Sequence, residues 1–542
     1  MSVQLTINEK IQEADSALSL FEHAERVDVR VPTSCLKNGK CKECMVEVVE
    51  GMELLSPRTE AEAHLDGRFR LSCRTRVVGV QGAVCCHTMR RGQMVIAEGG
   101  KRLDHILVDT PMDPAVTRRG RSILIDGKPI CESVGPILGI AADIGTTTVV
   151  LRLVDLETGR VVETQSFENP QRFGGSDVMA RIQYDTDHKG RLLQRTLLGY
   201  MTHAIESFDC QAQDIYEIVV AGNATMRDLF FGLDVYSIGQ KPYQSLTEKQ
   251  WRAGERDTTA ETATTKRLRL PINPAARIYG LPLVRGHVGA DAAACILAID
   301  LPREHRMVAL MDIGTNTELI VGHKDKVYAA SCPAGPAFEG GVVTCGMPGL
   351  EGAIESVRLG NGSVWYQVIG GGDPQGICGS GLIESLSELL RMKRMDHFGR
   401  LKDGADRFVL DEEHRIFLSE ADISELAQAK GANVAGLRIV LSQYGSDFEH
   451  IDCFYLAGGF AQHMDVGAAK RMGLIPDLPD GKIMQIGNAA IEGATIALKS
   501  VKRRRELEDL VKEVTHVELE TDPHFFEHFV EGCQFKAVKS VG

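Results

Sequence analysis

The sequence predicts a multidomain protein in which a small α+β unit precedes a larger, internally duplicated α/β unit. The chain has 542 residues, which is too many for one hydrophobic core. Four cysteines cluster between positions 35 and 73, as metal ligands do in a small domain. The tetrapeptide Asp-Ile-Gly-Thr occurs at 143–146 and again at 312–315, each time inside an apolar strand pair. We therefore expect a first domain at 1–95, a linker at 96–136 and a duplicated core at 137–542.

Composition and charge exclude several classes of protein. Apolar residues make up 43% and charged residues 25% of the chain, as in soluble globular proteins. The net charge of −13 argues against a nucleic-acid partner, because phosphate binding needs a basic face. The basic run Lys502–Arg505 is followed by acidic residues and predicts a solvated helix face.

The sequence also predicts a location. It contains no run of about 18 apolar residues, so no membrane span is predicted. Residues 1–6 lack the basic start and apolar run of a signal peptide. We therefore expect a cytoplasmic protein whose 14 cysteines stay reduced and, where clustered, bind metal.

The first unit shows short elements around the cysteines. Residues 3–7 alternate apolar and polar, which predicts a half-buried strand, and 17–27 have apolar residues at helical spacing. Residues 45–49 predict a strand that leaves the cysteine loop, and 68–78 predict another strand pair around Cys73. This pattern indicates a small mixed domain with the cysteine loop along one edge.

The cysteines themselves indicate a metal centre. Cys35, Cys41 and Cys44 lie in one tight loop, in which Gly39 allows a sharp turn, and Cys73 is the distant fourth. Two irons that share four thiolates suit a [2Fe–2S] cluster. The alternative is a structural zinc site, which usually has two separated Cys-x2-Cys pairs, whereas this set has one.

The linker at 96–136 has weak periodicity and many charges. We expect a connecting segment without a core of its own, in which 122–125 form a short strand or a helical turn.

Each Asp-Ile-Gly-Thr sequence predicts a strand, a glycine turn and a second strand. The glycine permits a tight turn whose N–H and hydroxyl groups close on phosphate oxygens, and an aspartate at the strand end holds Mg²⁺ through water. Asp143 and Asp312 are thus the candidates for organising Mg²⁺ and an attacking water. The candidate phosphate contacts are Gly145, Thr146, Thr147 and Thr148 in the first turn and Gly314, Thr315, Asn316 and Thr317 in the second. For any single threonine or asparagine the alternative is a turn cap.

Two further glycine-rich segments predict contacts to a nucleoside and an anion. The buried run 451–457 ends in Gly458, Gly459 and Phe460, which open a helix and let the backbone approach a nucleoside. Gly379, Ser380 and Gly381 begin an amphipathic helix, whose N-terminus favours anions. Asp291, in Gly-Ala-Asp, is a candidate base or metal ligand, or a carboxylate that caps a helix start.

The order of these motifs resembles the actin-like ATPase superfamily, which includes acetate and sugar kinases, heat-shock chaperones and actin. The resemblance implies two subdomains, roughly 137–305 and 306–500 plus a C-terminal segment, that close over ATP. The cysteine spacing, Cys-x5-Cys-x2-Cys and a distant Cys, resembles adrenodoxin-like ferredoxins and implies a β-grasp domain. Relatives often have glycines after the first cysteine, where this chain has Leu36 and Lys37.

The combination of both units resembles the reductive activators of corrinoid proteins. Segments such as Asn169–Gly174, Ala221–Met226, Pro333–Gly340 and Ile486–Ala490 agree with that family. The resemblance implies ATP-dependent one-electron reduction of inactive Co(II) to Co(I), with a [2Fe–2S] cluster, ATP and Mg²⁺ as cofactors. The implied partners are the corrinoid protein of a methyltransferase system and an electron donor such as a reductase, ferredoxin or flavodoxin. Some relatives carry an additional middle domain, and a homodimer is left open.

Three other functions are left open by the residues. A small-molecule kinase with a redox-sensing ferredoxin domain would turn over ATP only with its metabolite. An activator of a radical dehydratase shares the ATPase core but uses very few cysteines, so the four-cysteine unit argues against it. A non-hydrolysing electron-transfer protein would require lost phosphate contacts, and both hairpins are intact.

Overall fold

The structure is a computed structural model. It describes residues 3–8, 10–33, 35, 37–89, 110–360, 363–459 and 461–539. Within these residues no helix combines the length and the apolar character needed to cross a bilayer.

The N-terminal domain is a five-stranded sheet with one helix. Its elements are β1 (Val3–Ile7), β2 (Lys10–Glu13), α1 (Leu20–Arg26), β3 (Met45–Glu50), β4 (Phe69–Leu71) and β5 (Gly82–Thr88), with strand order β2-β1-β5-β3-β4. Strands β1 and β5 are parallel, and Ser19 with Glu22 forms a capping box at the start of α1. This arrangement confirms the predicted β-grasp fold.

One detail of that prediction was wrong. Cys73 does not lie between two strands, because Ser72–Arg74 form a 3₁₀ turn after β4. Beyond the turn, Arg76 and Val77 make only isolated bridges, to Ser19 and Leu55. The turn points the backbone back towards the cysteine loop, where the Ser72 amide donates to the Cys44 carbonyl at 2.8 Å.

The second half of the linker is folded. An antiparallel sheet contains β6 (Val116–Arg119), β7 (Ser122–Ile125) and β8 (Lys128–Glu132). Val116 and Ile123 are buried against the main core, and the Asp113 amide donates to the Lys499 carbonyl at 3.1 Å. The dense charges of this segment lie on the solvent side and hide these two buried positions in the sequence.

The first subdomain of the core has a six-stranded sheet with the order β11-β10-β9-β12-β14-β13. Its elements are β9 (Leu138–Ile144), β10 (Thr148–Asp155), β11 (Val161–Glu168), α2 (Val178–Asp187), α3 (Leu192–Glu206), β12 (Ile215–Ala221), α4 (Ala224–Phe231), α5 (Leu246–Arg252), β13 (Glu261–Thr264), α6 (Thr265–Leu268), β14 (Arg277–Gly280) and α7 (Ala290–Ala298).

The second subdomain has a six-stranded sheet with the order β24-β23-β15-β16-β17-β25. Its elements are β15 (Val308–Ile313), β16 (Thr317–His323), β17 (Lys326–Cys332), β18 (Ala353–Leu359), β19 (Val364–Val368), β20 (Gly376–Ile377), α8 (Gly379–Arg391), β21 (Arg407–Asp411), β22 (Ile416–Ser419), α9 (Glu420–Tyr444), β23 (Cys453–Ala457), α10 (Val466–Met472) and β24 (Ile483–Gly487). The next two helices, α11 (Ala489–Lys499) and α12 (Val501–Glu513), pack against the first subdomain. The chain then returns to the second subdomain with β25 (Thr515–His516) and α13 (Phe525–Gly532).

The two sheets repeat one topology, which confirms the predicted duplication. In each, an antiparallel hairpin pairs in parallel with a later strand, β9 with β12 and β15 with β23. The glycine after that later strand has the same role in both copies. A methyl group at Gly222 would lie 2.8 Å from the Ile144 carbonyl oxygen, and one at Gly458 would lie 2.4 Å from that of Ile313. Both glycines have positive φ, +151° and +119°, so each lets a strand end close against its hairpin.

The prediction that residues 502–505 form a solvated basic face was correct for only two of the four side chains. Lys502 and Arg505 are exposed, but Arg503 and Arg504 are buried. Arg504 donates to both carboxylate oxygens of buried Glu217, at 2.8 and 2.6 Å. Burial of these arginines is possible because each has a carboxylate partner, Glu506 for Arg503 at 2.6 Å and Glu217 for Arg504.

Candidate functional site

The two Asp-Ile-Gly-Thr hairpins face each other across a cavity of about 240 Å³. Of the residues predicted from sequence, those that line it are Asp143, Gly145, Thr146, Thr147, Thr148, Asp291, Asp312, Gly314, Thr315, Asn316, Gly379, Ser380, Gly458 and Gly459. Segments far apart in the chain thus meet at one cleft between the subdomains.

Three predicted residues are not placed on its wall. Thr317 is fully buried in β16. Gly381 packs α8 against β18, since a methyl group there would lie 2.2 Å from the Ile354 carbonyl oxygen. Phe460 lies outside the described residues. The helix expected directly after Gly459 begins only at Val466.

The tips of the two hairpins are in contact. The Thr147 and Thr315 hydroxyl oxygens are 3.2 Å apart. Both hydroxyls donate to the Glu339 carboxylate, the first at 3.3 Å. The Thr146 hydroxyl accepts a hydrogen bond from the Asn223 amide at 3.1 Å. The polar groups that a phosphate chain needs therefore converge at this end of the cleft.

A carboxylate from each hairpin lies in the cleft wall. Burial raises the pKa of Asp143 to about 6, and an amide hydrogen bond from Asn488 at 2.8 Å works in the opposite direction. Burial likewise raises the pKa of Asp312 to about 7, opposed by the Cys295 thiol, which donates at 3.2 Å. A divalent cation would stabilise the ionised form of both groups.

Asp291 lies at the first turn of α7, at the same cleft. Its carboxylate accepts from the Ala292 amide at 2.8 Å. Burial raises its pKa to about 7, and the charges of Asp143 and Asp312 act in the same direction. It is both a helix-start carboxylate and a neighbour of the two hairpin aspartates.

Sequence reasoning assigned no role to several residues that hold this geometry. Asn223 and Asn488 each follow a glycine at a strand end and cap a helix, α4 and α11. The signal was present as the repeated Gly-Asn-Ala at 222–224 and 487–489. Glu318 on β16 lies opposite Asp312 on the neighbouring strand β15 and lines the cavity. No local sequence pattern distinguishes it from an ordinary strand residue.

Apolar and glycine residues also line the cavity. Pro348, Gly349 and Ile369 are among them, together with Gly459. A side chain at Gly459 would meet no atom within 4 Å, so its open face is free for a ligand. Gly458 differs, because a side chain there would collide with the backbone of the second hairpin, 2.4 Å from the Ile313 carbonyl oxygen.

The four predicted cysteine ligands form two pairs. The Cys44 and Cys73 sulfurs are 3.2 Å apart. The Cys35 and Cys41 sulfurs share a neighbour, the Thr33 hydroxyl, at 3.9 and 3.8 Å. Across the described residues, no group of three or more Cys, His, Asp or Glu side chains is arranged around one ion. The charges of Cys35 and Cys41 also act on Cys73, so the four side chains lie in one region of the domain.

The loop between the first two cysteines carries its own electrostatics. Burial raises the pKa of Cys35, but N–H groups of Cys41, Asn38 and Lys40 point at its sulfur and bring the pKa down to about 7. Lys37 has a left-handed backbone, φ +63°, at a place where glycine is the easier residue. Its ammonium lies 2.6 Å from Glu25. Leu36, the other predicted departure, lies outside the described residues.

Family models match three parts of the chain. Residues 5–78 match the 2Fe-2S iron-sulfur cluster binding domain, 138–304 match the RACo middle region, and 306–540 match the C-terminal domain of RACo, the ASKHA domain. ASKHA denotes the superfamily of acetate and sugar kinases, heat-shock chaperones and actin. What this family calls the middle region is therefore the first subdomain of the duplicated core.

Whole-chain relatives point the same way. The corrinoid activation enzyme RamQ of Eubacterium limosum is 30% identical over 92% of this chain and 93% of its own length. The chain belongs to the family of reductive activators of corrinoid proteins. The family also includes a methylated-amine-specific corrinoid protein Co(II) reductase of Methanosarcina barkeri, 24% identical over 71% of this chain and 75% of that protein. A solved reductive activator for a corrinoid, iron-sulfur protein superposes with a TM-score of 0.71, at 26% identity over 99% of this chain and 98% of that one.

Proposed function

We propose that this protein passes one electron to the Co(II) of a corrinoid protein and so restores Co(I), in a reaction that consumes Mg-ATP. The observation that carries the proposal is the union, in one chain, of a domain with two cysteine pairs and a cleft in which both phosphate hairpins are intact. Neither half alone implies the reaction. Membership of the reductive-activator family supports it over the full length.

In the N-terminal domain the cysteine pairs fit a [2Fe–2S] cluster. Cys35 with Cys41, and Cys44 with Cys73, would each hold one iron. When bound, such a cluster takes up and releases one electron at a time. The protein supplies the four thiolates and the N–H groups around Cys35 that favour its ionised form. The zinc alternative is disfavoured because structural zinc sites usually have two separated Cys-x2-Cys pairs, whereas this chain has one.

In the cleft, Asp143 and Asp312 are placed to organise Mg²⁺ through water and to orient the attacking water. The turns with Thr146, Thr147 and Thr315 supply hydroxyls and N–H groups for the phosphates. Asp291, beside both aspartates, adds a further carboxylate. Each residue therefore acts by binding, orienting or accepting a proton from water.

ATP has a thermodynamic role in this scheme. Co(I) is a strong reductant, and for one electron each ~59 mV of mismatch with the donor costs a factor of ten in the equilibrium. A cleft between two subdomains closes and opens with its nucleotide. Coupling that motion to binding and release of the corrinoid protein makes the transfer directional.

The electron enters from a separate donor, a reductase, ferredoxin or flavodoxin, which reduces the protein after each transfer. The site of action is the cytoplasm, where such donors and methyltransferase systems operate. A homodimer is compatible with this scheme and is not required by it, since the cleft and the cysteine pairs each lie within one chain.

The test is anaerobic reduction of a corrinoid protein. The full chain, a chemical reductant, Mg-ATP and Co(II) corrinoid protein are mixed, and Co(I) is followed by its absorbance. We expect Co(I) with ATP and almost none with ADP or without nucleotide. Absence of ATP-dependent Co(I) with an intact cluster and several corrinoid proteins would refute the proposal. ATP turnover that instead depends on an added metabolite would favour a kinase.

A further inference from the structure

The segment 169–184 touches both the first phosphate hairpin and the N-terminal domain. It comprises the 3₁₀ turn Pro170–Gly174 and the first two turns of α2. One side of the segment donates hydrogen bonds to the backbone carbonyl groups of the hairpin turn. The other side contacts the N-terminal domain, which carries the cysteine pairs.

On the hairpin side, three consecutive carbonyls of the turn are bonded. The Asn169 side-chain amide donates to the Gly145 carbonyl and its backbone amide to the Thr147 carbonyl, both at 2.7 Å. The fully buried Arg181 guanidinium donates to the Thr146 carbonyl at 2.6 Å. A movement of this turn therefore displaces the segment. The Arg181 guanidinium is fully buried, and loss of its hydrogen bond to Thr146 would leave an unpaired charge in the interior.

On the opposite side, three side chains of the segment hold the N-terminal domain. The Tyr184 hydroxyl donates to the His64 carbonyl at 2.8 Å. The Phe173 ring packs edge-on against both the His64 ring and the Tyr184 ring, with centroids 6.4 and 5.3 Å away. The Arg172 guanidinium lies 3.6 Å from the carboxylate of Glu47, on β3.

The next helix, α3, extends this contact to the cysteine loop. Gly199 leaves room for Glu43, the residue before the third cysteine, since a methyl group there would lie 3.2 Å from the Glu43 side chain. Further along α3, Arg30 approaches His203 at 3.3 Å and Glu206 at 3.9 Å. Docking thus places one flank of the cysteine loop against the first subdomain.

The geometry of the cleft indicates how a bound phosphate acts on the first turn. The Thr147 and Thr315 hydroxyl oxygens are 3.2 Å apart. One phosphate oxygen that accepts from both would hold them about 4–5 Å apart at ordinary hydrogen-bond lengths. A phosphate between the turns therefore moves the first turn, and with it the segment 169–184.

We propose that Arg172, Phe173 and Tyr184 are positioning residues that couple docking of the cysteine domain to the nucleotide, so that ATP releases the domain for the encounter with its partner. The inference rests on the proposed function and adds the route by which the cleft acts on the electron-transfer domain. Coupling is reciprocal: if ATP weakens docking, loss of docking strengthens ATP binding by the same factor.

The first measurement is nucleotide affinity of the full, cluster-loaded chain by calorimetry. Tyr184→Phe removes the hydroxyl that holds His64 and keeps the ring. Its control is Tyr236→Phe, at an exposed tyrosine of the same subdomain. Loss of one hydrogen bond in the docked state predicts roughly fivefold tighter ATP binding for Tyr184→Phe and wild-type affinity for the control.

The second measurement is amide hydrogen exchange with and without ATP. ATP is expected to increase exchange in the peptide 60–66, which contains the docking carbonyl, and to leave 525–532 in α13 unchanged. Tyr184→Phe should show the increased exchange at 60–66 before ATP is added. A purely structural tyrosine would not make this peptide respond to a nucleotide bound in the cleft.

The outcomes separate the two proposals. If ATP binds wild type but binds Tyr184→Phe equally or more weakly, or if exchange at 60–66 ignores ATP, the coupling is refuted and the proposed reductase function stands. If wild type binds no ATP, the proposed function fails and the coupling fails with it.

Discussion

Replacing Asp312 by asparagine should remove activity and stabilise the protein at the same time. The carboxylate lies in the cleft wall at the end of β15, where burial raises its pKa from 3.8 to about 7. Asparagine has the same shape, keeps an oxygen that can accept from the Cys295 thiol, and cannot ionise. The variant therefore tests whether this aspartate is retained for function at a cost in stability.

The magnitude follows from linkage. Because the pKa of Asp312 is higher in the folded than in the unfolded protein, ionisation destabilises the folded state. The destabilisation begins near pH 4, grows up to about pH 7 and is constant above. A shift of about three units corresponds to ~4 kcal/mol as an upper bound. Water in the cleft screens part of this charge, so we expect ~2 kcal/mol, or a rise in Tm of about 4–8 °C for a domain of this size.

The assay is thermal unfolding in EDTA without nucleotide, at pH 5 and pH 8. The gain in Tm of Asp312→Asn should be smaller at pH 5 than at pH 8, because part of the folded carboxyl is neutral at pH 5. In parallel, ATP-dependent Co(I) formation should fall at least ~100-fold, since water activation is lost, while ATP still binds. Asp477→Asn, at an exposed aspartate, is the matched control and should change neither quantity.

Two results would refute this reasoning. A lower Tm than wild type at pH 8 would mean that the Asp312 carboxylate stabilises the fold. A gain of equal size at pH 5 and pH 8 would mean that ionisation is not its cause.

Three further substitutions test the site. Cys73→Ala should abolish the visible cluster spectrum while calorimetry shows unchanged ATP affinity, and Cys131→Ala should keep both; a Cys73→Ala protein that keeps its spectrum would contradict the ligand assignment. Gly458→Ala should lower the free energy of unfolding by about 1–3 kcal/mol, because its methyl group would meet the second hairpin at a backbone φ of +119°. Gly459→Ala should unfold like wild type and bind ATP less tightly. Equal melting temperatures of the two variants would show that the contact at Gly458 is unimportant. Asn488→Ser keeps a cap for α11 but loses the amide that holds the first hairpin's aspartate, so Mg-ATP affinity should fall roughly fivefold, and unchanged affinity would exclude that role.

Much of the fold was predictable because its strands are short, apolar and regularly punctuated. The strands β1, β3, β9, β15 and β23 were all expected from alternation or from a buried run. The failures have local causes. Dense charges hid the sheet β6–β8 in the sequence. A strand was wrongly predicted after Cys73, because residues in isolated bridges and residues in a strand share one sequence pattern.

The candidate site divides in the same way. The hairpins and the cysteine loop were visible because each is a contiguous motif whose chemistry depends on its own backbone. Asn223, Glu339 and Asn488 were not assigned, because each acts on a hairpin 77 or more positions away, or on both hairpins at once. Such contacts exist only after the helices α4 and α11 are packed against the sheets.

The sequence by itself predicted the chemistry: four candidate thiolate ligands in one small domain and two candidate phosphate turns in a duplicated core. Only the tertiary structure decided how these parts are connected. It sorted the cysteines into two pairs, brought the hairpin hydroxyls to 3.2 Å, and placed the segment 169–184 between the cleft and the cysteine domain. The physical reason is that a motif is encoded in neighbouring residues, whereas coupling between sites depends on which distant surfaces are packed together.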